Sequence, residues 1–264
     1  MGEAEAEAGA GPRTPPSTPA PAGRVATRHA SFRPAVRIGL VLLVAGAATV
    51  AVLLGVSGGG DPQHQRVALL GDSLLAGAAP DIATDLRPDA DTVNASLAVG
   101  GAGLLDTNPD WLTQARTLVA DFDPTVAVVE YVGNYAVYGG PLPGVTVYSK
   151  AFFRDWALQA QRLENILTTR GATVYWVLGP PIAPRVPEKG LQRLDEIYED
   201  LQAPGGGAPP LINITPAVTG GTDRYQTSLP GPNGHEMRIH LAGGVHFTAY
   251  GDSLMARAIA TGIG

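Results

Sequence analysis

The sequence contains no cysteine among its 264 residues. This absence excludes disulfide bonds, thiolate nucleophiles and cysteine-ligated metal sites. Charged residues are also scarce, at 16% of the chain, and the formal net charge is −6. An acidic chain with few cations lacks the basic surface that attracts nucleic acid, so we expect no nucleic-acid partner.

Recognisable metal and phosphate patterns are missing as well. The five histidines show no metal-ligand spacing with carboxylates, and there is no His-Glu-x-x-His sequence. The Gly58–Gly60 run does not stand between a predicted strand and a predicted helix, as a phosphate-binding loop would. We therefore expect a protein that works without a metal and without a cofactor.

The N-terminal part of the chain has little that could form a core. Residues 1–37 are rich in Glu, Ala, Pro, Ser and Thr and contain almost no large apolar side chain. Because such a segment cannot bury enough apolar surface to offset the entropy of ordering, we predict a disordered tail.

A long uncharged run follows the tail. Residues 38–56 read IGLVLLVAGAATVAVLLGV, and a helix of this length reaches about 28 Å, close to the hydrocarbon thickness of a bilayer. A cleaved signal peptide is the alternative, but its apolar region is usually shorter and closer to the N-terminus. We predict a single transmembrane helix. Arginines precede this run, so the tail is expected in the cytoplasm and the rest of the chain outside the membrane.

Residues 57–64 form a short glycine-containing linker, and residues 65–264 alternate between two kinds of pattern. Short apolar or β-branched runs typical of buried strands are Val67–Gly71, Thr92–Ala95, Thr125–Tyr131, Thr173–Gly179 and Leu211–Ile214. Helical patterns cover Leu74–Leu86, Trp111–Ala120, Ser149–Thr169, Leu191–Gln202 and Ala249–Ala260. This alternation predicts an α/β domain with a parallel sheet of about five strands covered on both faces.

Four short polar motifs follow the strands or precede the last helix. Gly71-Asp72-Ser73 ends the first strand, a glycine-rich stretch at 94–104 follows the second, Gly133-Asn134 follows the third, and His246 precedes the last helix. Taken singly, each has an ordinary structural reading as a helix cap, a turn or a surface histidine. Because ligands bind at the carboxyl ends of parallel strands, their order predicts one shared site.

In this order the four motifs resemble the signature blocks of the SGNH (GDSL-type) hydrolase family, over nearly all of residues 67–264. The resemblance implies a flavodoxin-like α/β/α fold, with Ser73 as nucleophile and His246 as general base. It also implies an oxyanion hole made of the Ser73 and Gly101 backbone N–H groups and the Asn134 side-chain amide. The block-two glycine is uncertain by one position between Gly100 and Gly101, and we favour Gly101.

The sequence departs from this family pattern in the third and fourth blocks. Val132 replaces a family glycine, Tyr135 replaces an aspartate, and Gly243 stands where the family has the aspartate that orients the histidine. Three readings stay open: a Ser–His dyad, a triad completed by another acid such as Glu236, and a homologue without activity.

A second Gly-Asp-Ser-Leu occurs at Gly251–Leu254, but no predicted strand precedes it, so we interpret it as coincidence. The expected function is an extracytoplasmic serine esterase acting on O-acetyl or other short acyl esters of a cell-wall glycan or a lipid. The alternatives are an acyltransferase onto a cell-envelope glycan and a catalytically silent glycan-binding domain.

Overall fold

The computed structural model describes residues 65–86, 90–183 and 188–264. The predicted tail at 1–37, the predicted transmembrane helix at 38–56 and the linker at 57–64 lie outside these residues. Within the described ranges, no helix combines the length and the apolar character needed to cross a bilayer.

Five parallel strands form the central sheet. They are β1 (Gln65–Gly71), β2 (Ala90–Ala98), β3 (Val126–Glu130), β4 (Thr173–Leu178) and β5 (Leu211–Asn213), and their spatial order is β2-β1-β3-β4-β5. The order changes direction between β1 and β3, which is where open α/β sheets bind their ligands. The predicted flavodoxin-like parallel sheet is confirmed.

Helices connect the strands and cover the sheet. They are α1 (Ser73–Asp85), α2 (Trp111–Phe122), α3 (Lys150–Leu167), α4 (Glu188–Glu199), α5 (Thr215–Thr219) and α6 (Ala249–Ile263), with a 3-10 turn at Thr168–Arg170. Side-chain oxygens of Asp72, Asp110, Ser149 and Thr248 accept hydrogen bonds from backbone N–H groups in the first turns of α1, α2, α3 and α6. All five predicted helices are present, although α4 lies slightly N-terminal to the predicted 191–202.

The core has one layer on each side of the sheet. Alternate residues of β1 show this: Ala68 and Leu70 pack against α2 and α3, whereas Val67 and Leu69 pack against α1 and α6. All four are essentially inaccessible to solvent. Burial on both faces explains why the strands appear in the sequence as continuous apolar runs.

The segment between β5 and α6 contains structure that the sequence patterns did not indicate. It holds the short helix α5 and an antiparallel pair of strands, β6 (Ser228–Pro230) and β7 (Glu236–Arg238). Two backbone hydrogen bonds then join the residues before and after the following loop. The Leu241 N–H donates to the His246 carbonyl at 2.8 Å, and the Thr248 N–H donates to the Ile239 carbonyl at 3.0 Å. These bonds fix the loop that carries His246.

Candidate active site

Ser73 is the first residue of α1 and stands at the carboxyl end of β1. The turn before it is tight, because a Cβ at Gly71 would lie 2.4 Å from the Glu130 carbonyl oxygen, so only glycine fits there. The Asp72 carboxylate accepts a hydrogen bond from the Leu74 N–H at 3.0 Å and caps the helix. The serine hydroxyl is thereby presented at the carboxyl end of the sheet, beside the paired ends of β1 and β3.

His246 meets Ser73 although 173 residues separate them in the sequence. The His246 Nε2 atom lies 2.9 Å from the Ser73 Oγ atom. This distance is within the range that a general base needs to take a proton from a nucleophile. The structure thus brings together the two residues that the sequence patterns had paired.

The predicted oxyanion-hole residues surround the same serine. Ser73, Gly101, Asn134 and His246 line one cleft of about 510 Å³, and Gly100 and Gly243 also contribute to its wall. Gly101 has a φ of +79°, which favours glycine. Within the described part of the chain, the Ser73 and Gly101 N–H groups donate to no other group.

Asn134 is held from behind by a buried carboxylate. The Asp72 Oδ2 atom accepts hydrogen bonds from the Asn134 Nδ2 atom at 3.1 Å and from the Val132 N–H at 3.0 Å. Because a carboxylate only accepts, this contact fixes which end of the Asn134 amide is the donor. The backbone of Gly103 packs directly against that of Asn134, because a Cβ at Gly103 would lie 2.0 Å from the Asn134 carbonyl oxygen.

No carboxylate in the described ranges forms a hydrogen bond with His246. Gly243 has a φ of +103° with open space where a Cβ would point. Glu236 is exposed on β7 and forms neither a hydrogen bond nor an ion pair with His246. His246 itself is exposed to solvent. The arrangement is that of a Ser–His pair.

Two acids lie near the site, and the sequence motifs indicate no role in it for either: Asp72 is buried and Asp252 is half-buried. Burial raises the pKa of Asp72, and its hydrogen bonds from the Leu74 and Val132 N–H groups partly offset that rise. Asp252, on α6, packs against Gly77 of α1; burial and then the Asp81 charge raise its pKa to about 6, while the His246 charge lowers it. The sequence indicates only a helix cap for Asp72, and nothing in it shows which way Asp252 faces.

The second Gly-Asp-Ser-Leu, at Gly251–Leu254, lies within the first turns of α6. Thr248 caps this helix, so Asp252 and Ser253 do not have the capping role that their residue types suggest. The Ser253 hydroxyl donates to the Tyr250 carbonyl at 2.8 Å. This copy has neither a strand before it nor a histidine bonded to its serine.

A serine after β1, a histidine before the last helix and a β2-β1-β3-β4-β5 sheet occur together in this structure, as the resemblance of the sequence motifs implied. Residues 66–262 match the family described as "Protein of unknown function (DUF459)", and the chain belongs to that family. Among curated protein sequences, none is significantly similar to this chain.

Solved structures that are similar to this chain include two esterases and an O-acetyltransferase. The esterase EstA from Pseudoalteromonas sp., in a form inhibited by monoethylphosphonate, has 15% identity and a TM-score of 0.50 over 75% of this chain and 96% of its own. AlinE4, an SGNH-hydrolase family esterase, has 18% identity and a TM-score of 0.41 over 65% and 89%. The catalytic domain of peptidoglycan O-acetyltransferase A from Streptococcus pneumoniae has 17% identity and a TM-score of 0.40 over 76% and 93%. The likeness to EstA shows a common fold.

Proposed function

We propose that this protein is a serine esterase that cleaves acyl esters with Ser73 as the nucleophile. The observation that carries the proposal is the 2.9 Å contact between the His246 Nε2 and Ser73 Oγ atoms, in a cleft that Gly101 and Asn134 also line. Nucleophile, base and three oxyanion donors thus surround one space, which is the combination that acyl transfer requires.

In the first half-reaction, the Ser73 Oγ atom attacks the acyl carbonyl carbon while His246 takes the hydroxyl proton. The carbonyl oxygen becomes an oxyanion, stabilised by the N–H groups of Ser73 and Gly101 and by the Asn134 amide. The tetrahedral intermediate collapses, the ester C–O bond breaks, and the leaving alcohol takes the proton from His246. Ser73 is left acylated.

In the second half-reaction, water attacks the acylated serine and gives a proton to His246. The acid is released, and Ser73 recovers its proton from the imidazolium. No described acid forms a hydrogen bond with the His246 ring, which carries the proton in each half-reaction. We therefore assign the site as a Ser–His dyad.

The substrate and the location belong to the same proposal. The uncharged run at 38–56, with arginines before it, supports a single membrane anchor and an extracytoplasmic domain. Esters outside the membrane include O-acylated glycans of the cell wall and lipids, and we propose O-acetyl or other short acyl esters of such molecules as substrates. Transfer of the acyl group to a glycan hydroxyl would use the same residues.

The duplicated motif supplies a matched pair of variants for the test. Ser73→Ala should abolish hydrolysis of a short-chain aryl ester and labelling by a fluorophosphonate probe, because the acylated atom is gone. Ser253→Ala removes the same hydroxyl from the second copy and should leave both readouts nearly unchanged. Rates and peptide mapping of the label measure this.

Two results would contradict the proposal. Labelling at Ser253, or equal losses from both variants while both proteins stay folded, would place the nucleophile elsewhere. A folded wild-type protein that neither hydrolyses aryl esters nor reacts with the probe would favour a glycan-binding domain that retains the fold.

A further inference from the structure

Glu130, the last residue of β3, has a fully buried side chain beside the site, at 0% exposure. Its Oε2 atom accepts one long hydrogen bond, from the Leu75 N–H at 3.3 Å. Its Oε1 atom is buried and has no hydrogen-bond donor among the residues that the structure describes. An ionised carboxylate in this position would leave a charged oxygen without a partner, which is costly.

The carboxyl of Asp72 adjoins that of Glu130 and is equally buried. No described lysine or arginine forms an ion pair with either carboxyl. Two buried carboxyls in contact cannot both ionise cheaply, so one proton is shared between them. The neighbouring hydroxyl of Tyr198 donates to the Tyr131 carbonyl at 2.8 Å and not to this pair.

The number of donors decides which carboxyl keeps the proton. Asp72 receives three hydrogen bonds at 3.0–3.1 Å, from the Leu74 N–H, the Val132 N–H and the Asn134 amide. Glu130 receives only the long one. Burial, then the negative charge of Asp72, raise the pKa of Glu130 well above its usual range. Asp72 is therefore the carboxylate and Glu130 the carboxylic acid.

We propose that Glu130 is a positioning residue whose carboxylic acid O–H donates a hydrogen bond to the Asp72 carboxylate, and that Asp72 in turn holds the Asn134 amide toward the oxyanion. An O–H···O bond made by Oε1 would satisfy the one Glu130 oxygen that otherwise lacks a partner. The backbone reinforces the pairing, since the Asp72 N–H donates to the Glu130 carbonyl at 3.2 Å. The catalytic part of this inference rests on the proposed esterase function.

The variants Glu130→Gln and Glu130→Met separate the effect of the hydrogen-bond donor from the effect of side-chain packing. Glu130→Gln keeps a donor toward Asp72, and its kcat should stay within about threefold of wild type. Glu130→Met keeps the volume but removes the donor, and kcat should fall by about 10–100-fold with KM little changed, because the oxyanion exists only in the transition state. Steady-state kinetics on an aryl ester measure both.

Glu164 supplies the matched control. It is a second buried acid, 1% exposed, on α3 on the other face of the sheet, and it accepts a hydrogen bond from the Trp176 Nε1 atom at 2.9 Å. Glu164→Met should lower thermal stability without changing kcat. If Glu130 acts through Asn134, Glu130→Met combined with Asn134→Ala should be no slower than Asn134→Ala alone.

A readout that needs no turnover separates this inference from the proposed function. The infrared C=O band of a protonated carboxyl should be present at neutral pH and should lose intensity in Glu130→Gln. The NMR signal of the Asn134 side-chain amide should shift in Glu130→Met but not in Glu164→Met. An unchanged band, an unchanged Asn134 signal, or strictly additive losses in the double variant would overturn the role of Glu130, whether or not the wild type cleaves esters.

Discussion

At the scale of single residues, Gly243 determines that no carboxylate at position 243 orients the His246 imidazole. The SGNH family has an aspartate at this position, but here φ is +103°, a conformation that side-chain-bearing residues adopt only at a cost of about 1–3 kcal/mol. Because Gly243 adopts this conformation, an aspartate at position 243 would strain or move the loop before His246.

We expect Gly243→Asp to lower the melting temperature by several degrees and not to raise kcat, because the strained loop displaces His246. Gly243→Ala carries the same strain without the carboxylate and should behave alike. Calorimetry and ester hydrolysis measure the two effects. If Gly243→Asp were faster than both wild type and Gly243→Ala, a carboxylate there would still orient the histidine and the dyad assignment would be wrong.

Glu236→Gln gives the complementary measurement. The Glu236 side chain is exposed and makes no bond with His246, so this variant should match the wild-type rate on the same ester. A large loss would mean that Glu236 moves onto the imidazole during catalysis and completes a triad.

The site was predictable in part because its residues lie in short motifs. Ser73, Asn134 and His246 could be grouped from the sequence, since each follows a strand or precedes the last helix. The Asp72–Glu130 pair could not be found in this way. Its carboxyls meet only because β1 and β3 are neighbours, and Glu130 looks in the sequence like the polar end of a strand.

At the scale of elements, the contact between α1 and α6 partly removes the Asp252 carboxyl from solvent. Asp252 faces Gly77 across this contact, and its pKa is raised to about 6. Between its unfolded value near 4 and about 6, the folded protein binds more protons than the unfolded chain does. This contribution to stability is full below the unfolded pKa and is lost as the pH rises through about 6.

Asp252→Asn should therefore stabilise the protein relative to wild type at about pH 7 and give no such gain at about pH 4. Urea denaturation at both pH values measures the difference. Asp81→Asn, which removes the charge that raises the pKa of Asp252, should change stability in the same direction to a smaller extent. An equal effect of Asp252→Asn at both pH values would show that its ionisation is not coupled to folding.

The elements themselves were predictable wherever apolar periodicity was strong. The strands and the five long helices follow from buried runs and amphipathic spacing. α5 and the β6–β7 pair were missed because they are short and lie in a segment rich in Gly, Pro, Thr and charged residues. Such elements form through backbone hydrogen bonds to their neighbours, and composition carries little sign of those bonds.

At the scale of the whole molecule, the predicted anchor at 38–56 sets where the domain works. A protease added to intact cells should remove the domain after about residue 58 and leave the N-terminal tail protected, because the membrane shields what lies inside. Antibodies against both ends measure this, and lysed cells, in which both ends are degraded, are the control. Recovery of the protein in the soluble cytosolic fraction would contradict the topology.

The exposure of His246 has a kinetic consequence for the choice between hydrolysis and transfer. In the proposed mechanism, water reaches the imidazole from bulk solvent, so hydrolysis of the acylated Ser73 requires no bound acceptor. A sugar hydroxyl wins this competition only if it is already bound beside the acyl group, where its effective concentration is high. The ratio of transfer to hydrolysis therefore depends on how fully an acceptor occupies the cleft: a weakly bound free sugar should be a poor acceptor, and a polymer held near the membrane a better one.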